Sequence, residues 1–269
     1  MASQPQASRV LQLRFVDRTR RIRLPDGRRV PRAIDTTVRV PATGGPYPLI
    51  VFAHGFGLTP RTYTALLRAW TGAGYVVAAP WFPLERADAP GGPNEADLAN
   101  EPRDVSVVVS RLLALSEHPG SALDDEIDAS RIAVAGHSDG GIAALAAAFD
   151  RRFRDRRIRA AIVMSGAPLG GMGPVPRRGP PLLALQGTAD PINSPATTAS
   201  YFRLARRPKF LLWLLGASHL PPYATQEPQL GLVERASTAF LDHYLKGGPL
   251  RAFEQAARRR GLTRLVAVP

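Results

Sequence analysis

The chain has 269 residues, of which 45% are hydrophobic and 21% are charged. This composition is typical of a folded globular protein and excludes wholesale disorder. No apolar run approaches the roughly 20 residues that a membrane-spanning helix needs. Cysteine is absent, which excludes disulfides, thiolate metal sites and a cysteine nucleophile.

The formal net charge of +13 raises the question of an acidic partner. Because Lys209 and Lys246 are the only lysines, the excess is arginine, and it is scattered in short groups such as 20–21, 28–29 and 258–260. No interleaved aromatic residues or binding motif accompany these groups, so we expect the arginine side chains to lie on surfaces that face water. The sequence therefore predicts neither a nucleic acid nor a membrane as partner.

The distribution of apolar segments bears on domain number and location. Apolar runs are spread evenly, which favours one domain over 1–269. The first ten residues, MASQPQASRV, lack the apolar stretch of a secretory signal. We therefore expect a single cytoplasmic domain, while the oligomeric state is left open.

Short apolar runs alternate with segments of helical periodicity along the chain, as in a largely parallel sheet with helices on both faces. Runs such as LIVFA, YVVAA and IAVAG are continuously apolar, as strands buried on both faces require. The eight predicted strands are 11–16, 34–40, 47–53, 74–80, 131–136, 160–165, 181–186 and 209–215. The predicted fold class is α/β, with a mostly parallel eight-stranded sheet.

Helix boundaries carry their own signals. Thr59 and Ser194 each precede a proline and are predicted N-caps, and Asn100 is predicted to cap the helix through DVSVVVSRLLAL. A last helix over about 228–245 should end at Gly247.

Two segments are less regular. The loop-like stretch 82–102 follows a predicted strand and should border the site, since open α/β sheets bind ligands at the carboxyl ends of their strands. The arginine-rich segment 251–264 fits either a packed helix or a mobile basic arm.

The strongest chemical signal is the stretch GHSDGG at 136–141, between a buried strand and an alanine-rich helix. A GxSxG pattern in that context predicts a nucleophile elbow, a sharp turn that exposes the hydroxyl of Ser138. Side chains at Gly136 and Gly140 are expected to collide with the turn. The alternative is a glycine-rich phosphate loop, but the sequence contains neither of the patterns typical of such loops, GxxxxGK[ST] and GxGxxG.

A serine nucleophile needs a histidine as base. His219 follows the strand KFLLWLL and lies on a loop at the appropriate sheet edge, so it is the preferred candidate. The side chain of His137 should point away from the nucleophile, and His54 is expected to hold its loop by hydrogen bonding. His118 and His243 fall on helical segments.

The base in turn needs an orienting carboxylate. Asp190 ends another buried strand, and the order Ser138, Asp190, His219 is the chain order of such sheets. The other carboxylates considered are expected in salt bridges or helices: Asp150, Asp155 and Asp242.

A tetrahedral intermediate needs preorganised N–H donors for its oxyanion. Asp139 opens the helix after Ser138, so its backbone N–H is one predicted donor, while its side chain should project away. Phe56, in the loop HGFG after the strand PLIVFA, supplies the second.

The segments PLIVFAHGFG, GHSDGG, QGTAD and GASHL occur in this order, and through them the chain resembles the α/β-hydrolase family. It is most similar to the group of cutinase-like polyester hydrolases, chlorophyllases and relatives of platelet-activating-factor acetylhydrolase. The resemblance implies a serine esterase without metal or organic cofactor. It assigns the nucleophile, acid, base and two oxyanion donors to Ser138, Asp190, His219, Phe56 and Asp139.

Departures from that group concern the substrate. The chain lacks the signal peptide, the disulfide and the aromatic residue before the acid that secreted polyester hydrolases carry, so polyester cleavage is not expected. About 15 residues separate Ser165 from Pro181, too few for a helical cap domain. An open site is expected, bordered by 168–172, 220–223 and the predicted substrate contacts Phe56, Trp81, Phe82 and Leu220.

The sequence thus predicts hydrolysis of short- to medium-chain carboxylic esters through an acyl-enzyme, with a small-molecule ester as the only partner. Two alternatives stay open. An amidase or peptidase would use the same triad, and a non-catalytic binding protein would keep the fold and use its basic surface.

Overall fold

The computed structural model describes residues 8–42, 44–173 and 179–269. Nine strands form one sheet in the order β1-β2-β4-β3-β5-β6-β7-β8-β9. The strands are β1 Ser8–Arg23, β2 Arg29–Pro41, β3 Tyr47–Ala53, β4 Val76–Trp81, β5 Ile127–His137, β6 Ile158–Met164, β7 Leu182–Gly187, β8 Lys209–Leu214 and β9 Thr263–Val268. The six strands from β4 across to β8 are parallel, whereas β1, β2 and β9 pair antiparallel.

Helices cover both faces of the sheet. They are α1 Thr64–Gly72, α2 Glu101–Ser116, α3 Asp139–Phe149, α4 Pro195–Leu204, α5 Pro221–Ala224, α6 Gln229–Lys246 and α7 Leu250–Ala257, with 3-10 turns at Pro60–Tyr63 and Glu95–Asn100. None of the helices in the described ranges is long and apolar enough to cross a membrane. The predicted α/β class and the mostly parallel sheet are confirmed.

Alternation along the strands divides the core in two. Val51 and Val134 pack into the cluster on one face, whereas Ile50 and Ala133 pack into the cluster on the other. Successive side chains of a strand point to opposite faces, so strands that are apolar at every position are buried on both. The continuous apolar runs in the sequence have this cause.

The predicted strand count of eight is wrong, because β9 was missed. This strand lies at the end of the arginine-rich segment and pairs antiparallel with β8, from Thr263 opposite Leu214 to Val268 opposite Lys209. Its residues are half-buried or exposed, and its apolar run, 265–268, is short and follows the arginine-rich segment. The segment before it forms α7, which buries Phe253 and is therefore packed.

Helix ends agree with the sequence in part. Ser194 caps α4 by accepting from the N–H of Ala196, and Gly247 ends α6 in the left-handed conformation, as predicted. Thr59 and Asn100 occupy the predicted N-cap positions, before the 3-10 turn and α2, but neither side chain makes a capping hydrogen bond. The Asn100 amide instead donates to Asp97, 2.8 Å away.

A buried ion network ties the loop-like stretch to the sheet. Arg32 on β2 is 1% exposed. Its Nη2 lies 2.6 Å from Asp97 on the 3-10 turn and 2.6 Å from Asp104 on α2. Arg20 reaches the same Asp104 carboxylate at 2.7 Å. Buried charges need such partners, since an unpaired ion inside a protein is strongly destabilising.

Candidate active site

The candidate nucleophile stands where β5 turns sharply into α3. Ser138 has φ 55° and ψ −122°, a backbone region that a residue with a side chain adopts only under strain. Its N–H donates to the Met164 carbonyl at 3.0 Å, which ties the turn to β6. The strand, turn and helix predicted around Ser138 are all present.

Two glycines make this turn possible. A Cβ on Gly136 would lie 2.0 Å from the Gly140 carbonyl oxygen, and a Cβ on Gly140 would lie 2.1 Å from the Ala53 carbonyl oxygen. Both distances are far below van der Waals contact with backbone atoms that cannot move aside. The expectation that side chains at these two positions would collide is confirmed.

The structure joins the candidate acid and base. Asp190 follows β7 and His219 follows β8, and because these strands are parallel neighbours their ends meet at one edge. The His219 Nδ1 lies 2.8 Å from Asp190 Oδ2. Asp190 is held in turn by the N–H groups of Ile192 and Asn193, both at 2.9 Å, and by the Gln186 amide at 3.0 Å.

These donors keep the Asp190 carboxylate ionised. Burial by itself raises the pKa of Asp190, but the hydrogen bonds from His219, Ile192 and Asn193 outweigh burial and hold the pKa below its usual value. An ionised Asp190 accepts the Nδ1–H of His219, which leaves Nε2 as the acceptor nitrogen of the imidazole.

His137 has a supporting position beside His219, with the two ring centroids 4.6 Å apart. Its Nε2 lies 3.0 Å from the His219 carbonyl oxygen and its Nδ1 lies 2.8 Å from the Tyr63 hydroxyl. Burial, followed by the nearby His219, lowers the pKa of His137 to about 3. His137 therefore stays neutral and fixes the backbone of His219. No signal in the sequence pointed to Tyr63, because its partner is 74 positions away.

The loop after β3 presents Phe56 beside Ser138. Among the described residues, neither the Phe56 N–H nor the Asp139 N–H donates to a protein acceptor, so both are available to a ligand. His54 holds this loop, as predicted, because its Nδ1 lies 3.0 Å from the Gly55 carbonyl oxygen and its Nε2 accepts from the Phe82 N–H at 3.1 Å.

A cavity of about 520 Å³ brings these groups together. The described residues that line it are Phe56, Leu58, Glu95, His137, Ser138, Asp139, Pro191, Ile192, Asn193, Ser218, His219, Leu220 and Pro221. Two predicted substrate contacts, Phe56 and Leu220, are among them. Apart from Glu95, Asp139 and the imidazoles, the lining is uncharged or apolar.

The other two predicted substrate contacts were wrong. Phe82 is 0% exposed and packs in the core, with its ring centroid 5.0 Å from that of His54. Trp81 donates from Nε1 to the Thr37 hydroxyl at 3.0 Å and lies under Arg61. Trp81 is the last residue of β4 and Phe82 follows it directly. The predicted border at 168–172 is likewise absent from the described lining.

The expected direction of the Asp139 side chain also needs correction. Asp139 lines the cavity together with Glu95, and its Oδ2 is buried without a hydrogen-bond partner. Burial and the neighbouring Glu95 raise the pKa of Asp139 to about 6, against an opposing effect of His219. The wall near the oxyanion loop is therefore acidic, although the chain as a whole is strongly basic.

The fold is that of the α/β-hydrolases. The profile of the chlorophyllase family matches residues 18–198. The chain therefore belongs to the chlorophyllase family, a family of esterase-type hydrolases. The structure is similar to that of a ferulic acid esterase from Streptomyces cinnamoneus, with a TM-score of 0.71 and 21% identity over 92% of each chain. No individual curated protein matches the sequence.

The strained turn predicts an unusual order of stabilities. Ser138→Gly should have a free energy of unfolding about 1 kcal/mol higher than that of Ser138→Ala, because glycine adopts positive φ without strain. Urea denaturation of the two variants measures this. As control, the same pair at Ser110 in the interior of α2 should show the reverse order, since alanine is the better helix former. Equal stabilities at Ser138 would contradict the strain.

Proposed function

We propose that the protein hydrolyses short- to medium-chain carboxylic esters through an acyl-enzyme on Ser138. The observation that carries this proposal is the pairing of Asp190 with His219 at 2.8 Å, in a cavity that also contains the sharply turned Ser138. An Asp–His pair in one site with a serine hydroxyl is the arrangement that activates a serine nucleophile.

The first half of the reaction forms the acyl-enzyme. The Ser138 hydroxyl oxygen attacks the ester carbonyl carbon while His219 Nε2 takes the hydroxyl proton. The N–H groups of Phe56 and Asp139 donate to the oxyanion of the tetrahedral intermediate, which stabilises its charge. When the intermediate collapses, the bond to the alkoxy oxygen breaks, and His219 returns the proton to the leaving alcohol.

The second half releases the acid. A water molecule attacks the acyl carbon as His219 takes one of its protons, and the same two N–H groups hold the second oxyanion. The bond to the Ser138 oxygen then breaks, and that oxygen recovers its proton from His219. Asp190 stays ionised throughout, where it orients the imidazole and stabilises its charged form.

The cavity suits small apolar acyl or alcohol groups. Phe56 is 42% exposed and Ile192 is 69% exposed, and both lie on the cavity lining. Leu58 and Leu220 extend the apolar surface. A volume of about 520 Å³ is within the range of small-molecule sites, which supports short and medium acyl chains over long ones.

Loss of the nucleophile tests the proposal directly. Ser138→Ala should lower kcat on p-nitrophenyl butyrate by about 10⁴-fold or more, because no hydroxyl remains to form the acyl-enzyme. Ser218→Ala is a matched control, since Ser218 lines the same cavity but has no chemical role, and it should keep most of the activity. Circular dichroism of both variants checks folding. Undiminished turnover by folded Ser138→Ala would contradict the proposal.

The acidic wall predicts a preference for cationic substrates. We compare kcat/KM for the p-nitrophenyl ester of 4-trimethylammoniobutyrate with that of its neutral isostere, 5,5-dimethylhexanoate. Glu95→Gln should lower the ratio of cationic to neutral ester about three-fold, since one negative charge at the cavity is lost. Glu117→Gln, an exposed carboxylate outside the described lining, should leave the ratio unchanged.

The same ratio should depend on pH. The pKa of Asp139 is raised to about 6, so this carboxylate is ionised above that pH and becomes neutral as the pH falls through it. The preference for the cationic ester should therefore shrink below about pH 6. Taking a ratio cancels any change in activity common to both esters. If the ratio of kcat/KM for the cationic ester to that for the neutral ester does not change with pH, and is the same in the wild type and in Glu95→Gln, the acidic wall has no effect on the substrate.

A further inference from the structure

Two buried carboxyl groups lie side by side behind the oxyanion loop. Glu85 follows β4 and Glu101 is the first residue of α2, and both are 0% exposed. Among the described residues, no N–H or O–H group donates to any of their four carboxyl oxygens. The two side chains instead lie within hydrogen-bonding reach of each other. A hydrogen bond between two carboxyl groups requires that one of them is protonated.

The surroundings favour retention of that proton. Burial raises the pKa of both Glu85 and Glu101. Glu85 further raises the pKa of Glu101, whereas the hydrogen bond with Glu101 lowers the pKa of Glu85 without outweighing burial. Beside burial and the partner carboxyl group, the largest effects on the pair come from acidic residues: Glu95, Asp97, Asp104 and Asp139. The nearby guanidinium of Arg32 is engaged by Asp97 and Asp104. Arg20 likewise pairs with Asp104.

The backbone of the turn that carries Glu85 supports the oxyanion loop. The Glu85 carbonyl oxygen accepts from the Gly57 N–H at 2.9 Å, and the Ala87 N–H donates to the Leu58 carbonyl at 3.3 Å. Gly57 is the residue directly after Phe56, the proposed oxyanion donor. The Glu85 side chain therefore joins this turn to α2, while its backbone joins the turn to the loop.

We propose that Glu85 and Glu101 are positioning residues, and that the proton they share holds the turn against α2 and so keeps the Phe56 N–H directed at the oxyanion. The inference rests on the proposed function, because it assigns the pair a role in ester hydrolysis. Neither side chain touches substrate. Their effect reaches the reaction through the hydrogen bond between Gly57 and the Glu85 carbonyl.

The proposal has a consequence in alkaline solution. Loss of the shared proton would leave two like charges in a buried site, where no cation among the described residues pairs with either of them. Their repulsion would displace the turn from α2. The oxyanion donor would then be misplaced. Since the oxyanion exists only in the transition state and intermediates, kcat should fall while KM changes little.

The test is the pH profile of kcat on p-nitrophenyl butyrate from about pH 6 to about pH 9. Wild-type kcat should fall about ten-fold on the alkaline side, less than the loss caused by complete removal of an oxyanion donor. Glu101→Gln should keep its activity at neutral pH and lose the alkaline fall, because an amide donates to Glu85 at any pH. Glu101→Leu, without a donor, should be about ten-fold slower at every pH.

Glu117→Gln at the other end of α2 is the control and should follow the wild type. An alkaline fall in Glu101→Gln equal to that of the wild type, or a wild type without any fall, would overturn the proposal. If Glu101→Gln does not fold, Glu85→Gln replaces it, because its amide donates to the Glu101 carboxylate. This variant should likewise keep its activity at neutral pH and lose the alkaline fall in kcat.

A wild type that turns over no ester and is not labelled at Ser138 by a fluorophosphonate contradicts the proposed function and this inference together. If Ser138 is labelled but no ester is turned over, the rate of labelling replaces kcat in the pH profile, and the same differences between the variants are expected.

Discussion

The backbone turn at Ser138 is the constraint on which the rest of the site depends. A φ of 55° places the serine between a buried strand and a helix, and the close approach of backbone at Gly136 and Gly140 leaves no room for a Cβ at either position. The turn places Ser138 and Asp139, the first residue of α3, on the lining of one cavity. The other groups of the site are arranged around this point, on loops at one edge of the sheet.

A network of neutral and ionised groups keeps those loops in place. On one side, an ionised Asp190 orients His219, and the neutral His137 binds the His219 carbonyl oxygen. On the other side, His54 and the turn at Glu85 hold the loop of Phe56. The available donors decide which of the buried carboxyl groups keeps its charge. Several donors surround Asp190, whereas in the described part of the chain Glu85 has only its carboxyl neighbour.

Much of this arrangement follows from the sequence, because it depends on local patterns. Buried parallel strands, the glycines around Ser138 and the acid and base after two strands can be read from short segments. The remaining features could not be predicted, because they depend on contacts between residues far apart in the sequence or on the position of a strand at the edge of the sheet. The half-exposed β9 has only a short apolar run, 265–268, Phe82 packs inward beside His54, and Glu85 and Glu101 meet only in the folded chain. Arg32 likewise finds Asp97 and Asp104 across 65 and 72 positions.

The central claim is that the fold makes Ser138, and no other serine, a nucleophile. Intact-mass and peptide analysis after treatment with a fluorophosphonate tests it most directly, because such reagents phosphonylate only activated serines. We expect a single adduct, located on Ser138, that is lost in the His219→Ala variant and in urea-unfolded protein. An adduct on another serine, or none on the folded protein, would show that Ser138 is not the activated nucleophile.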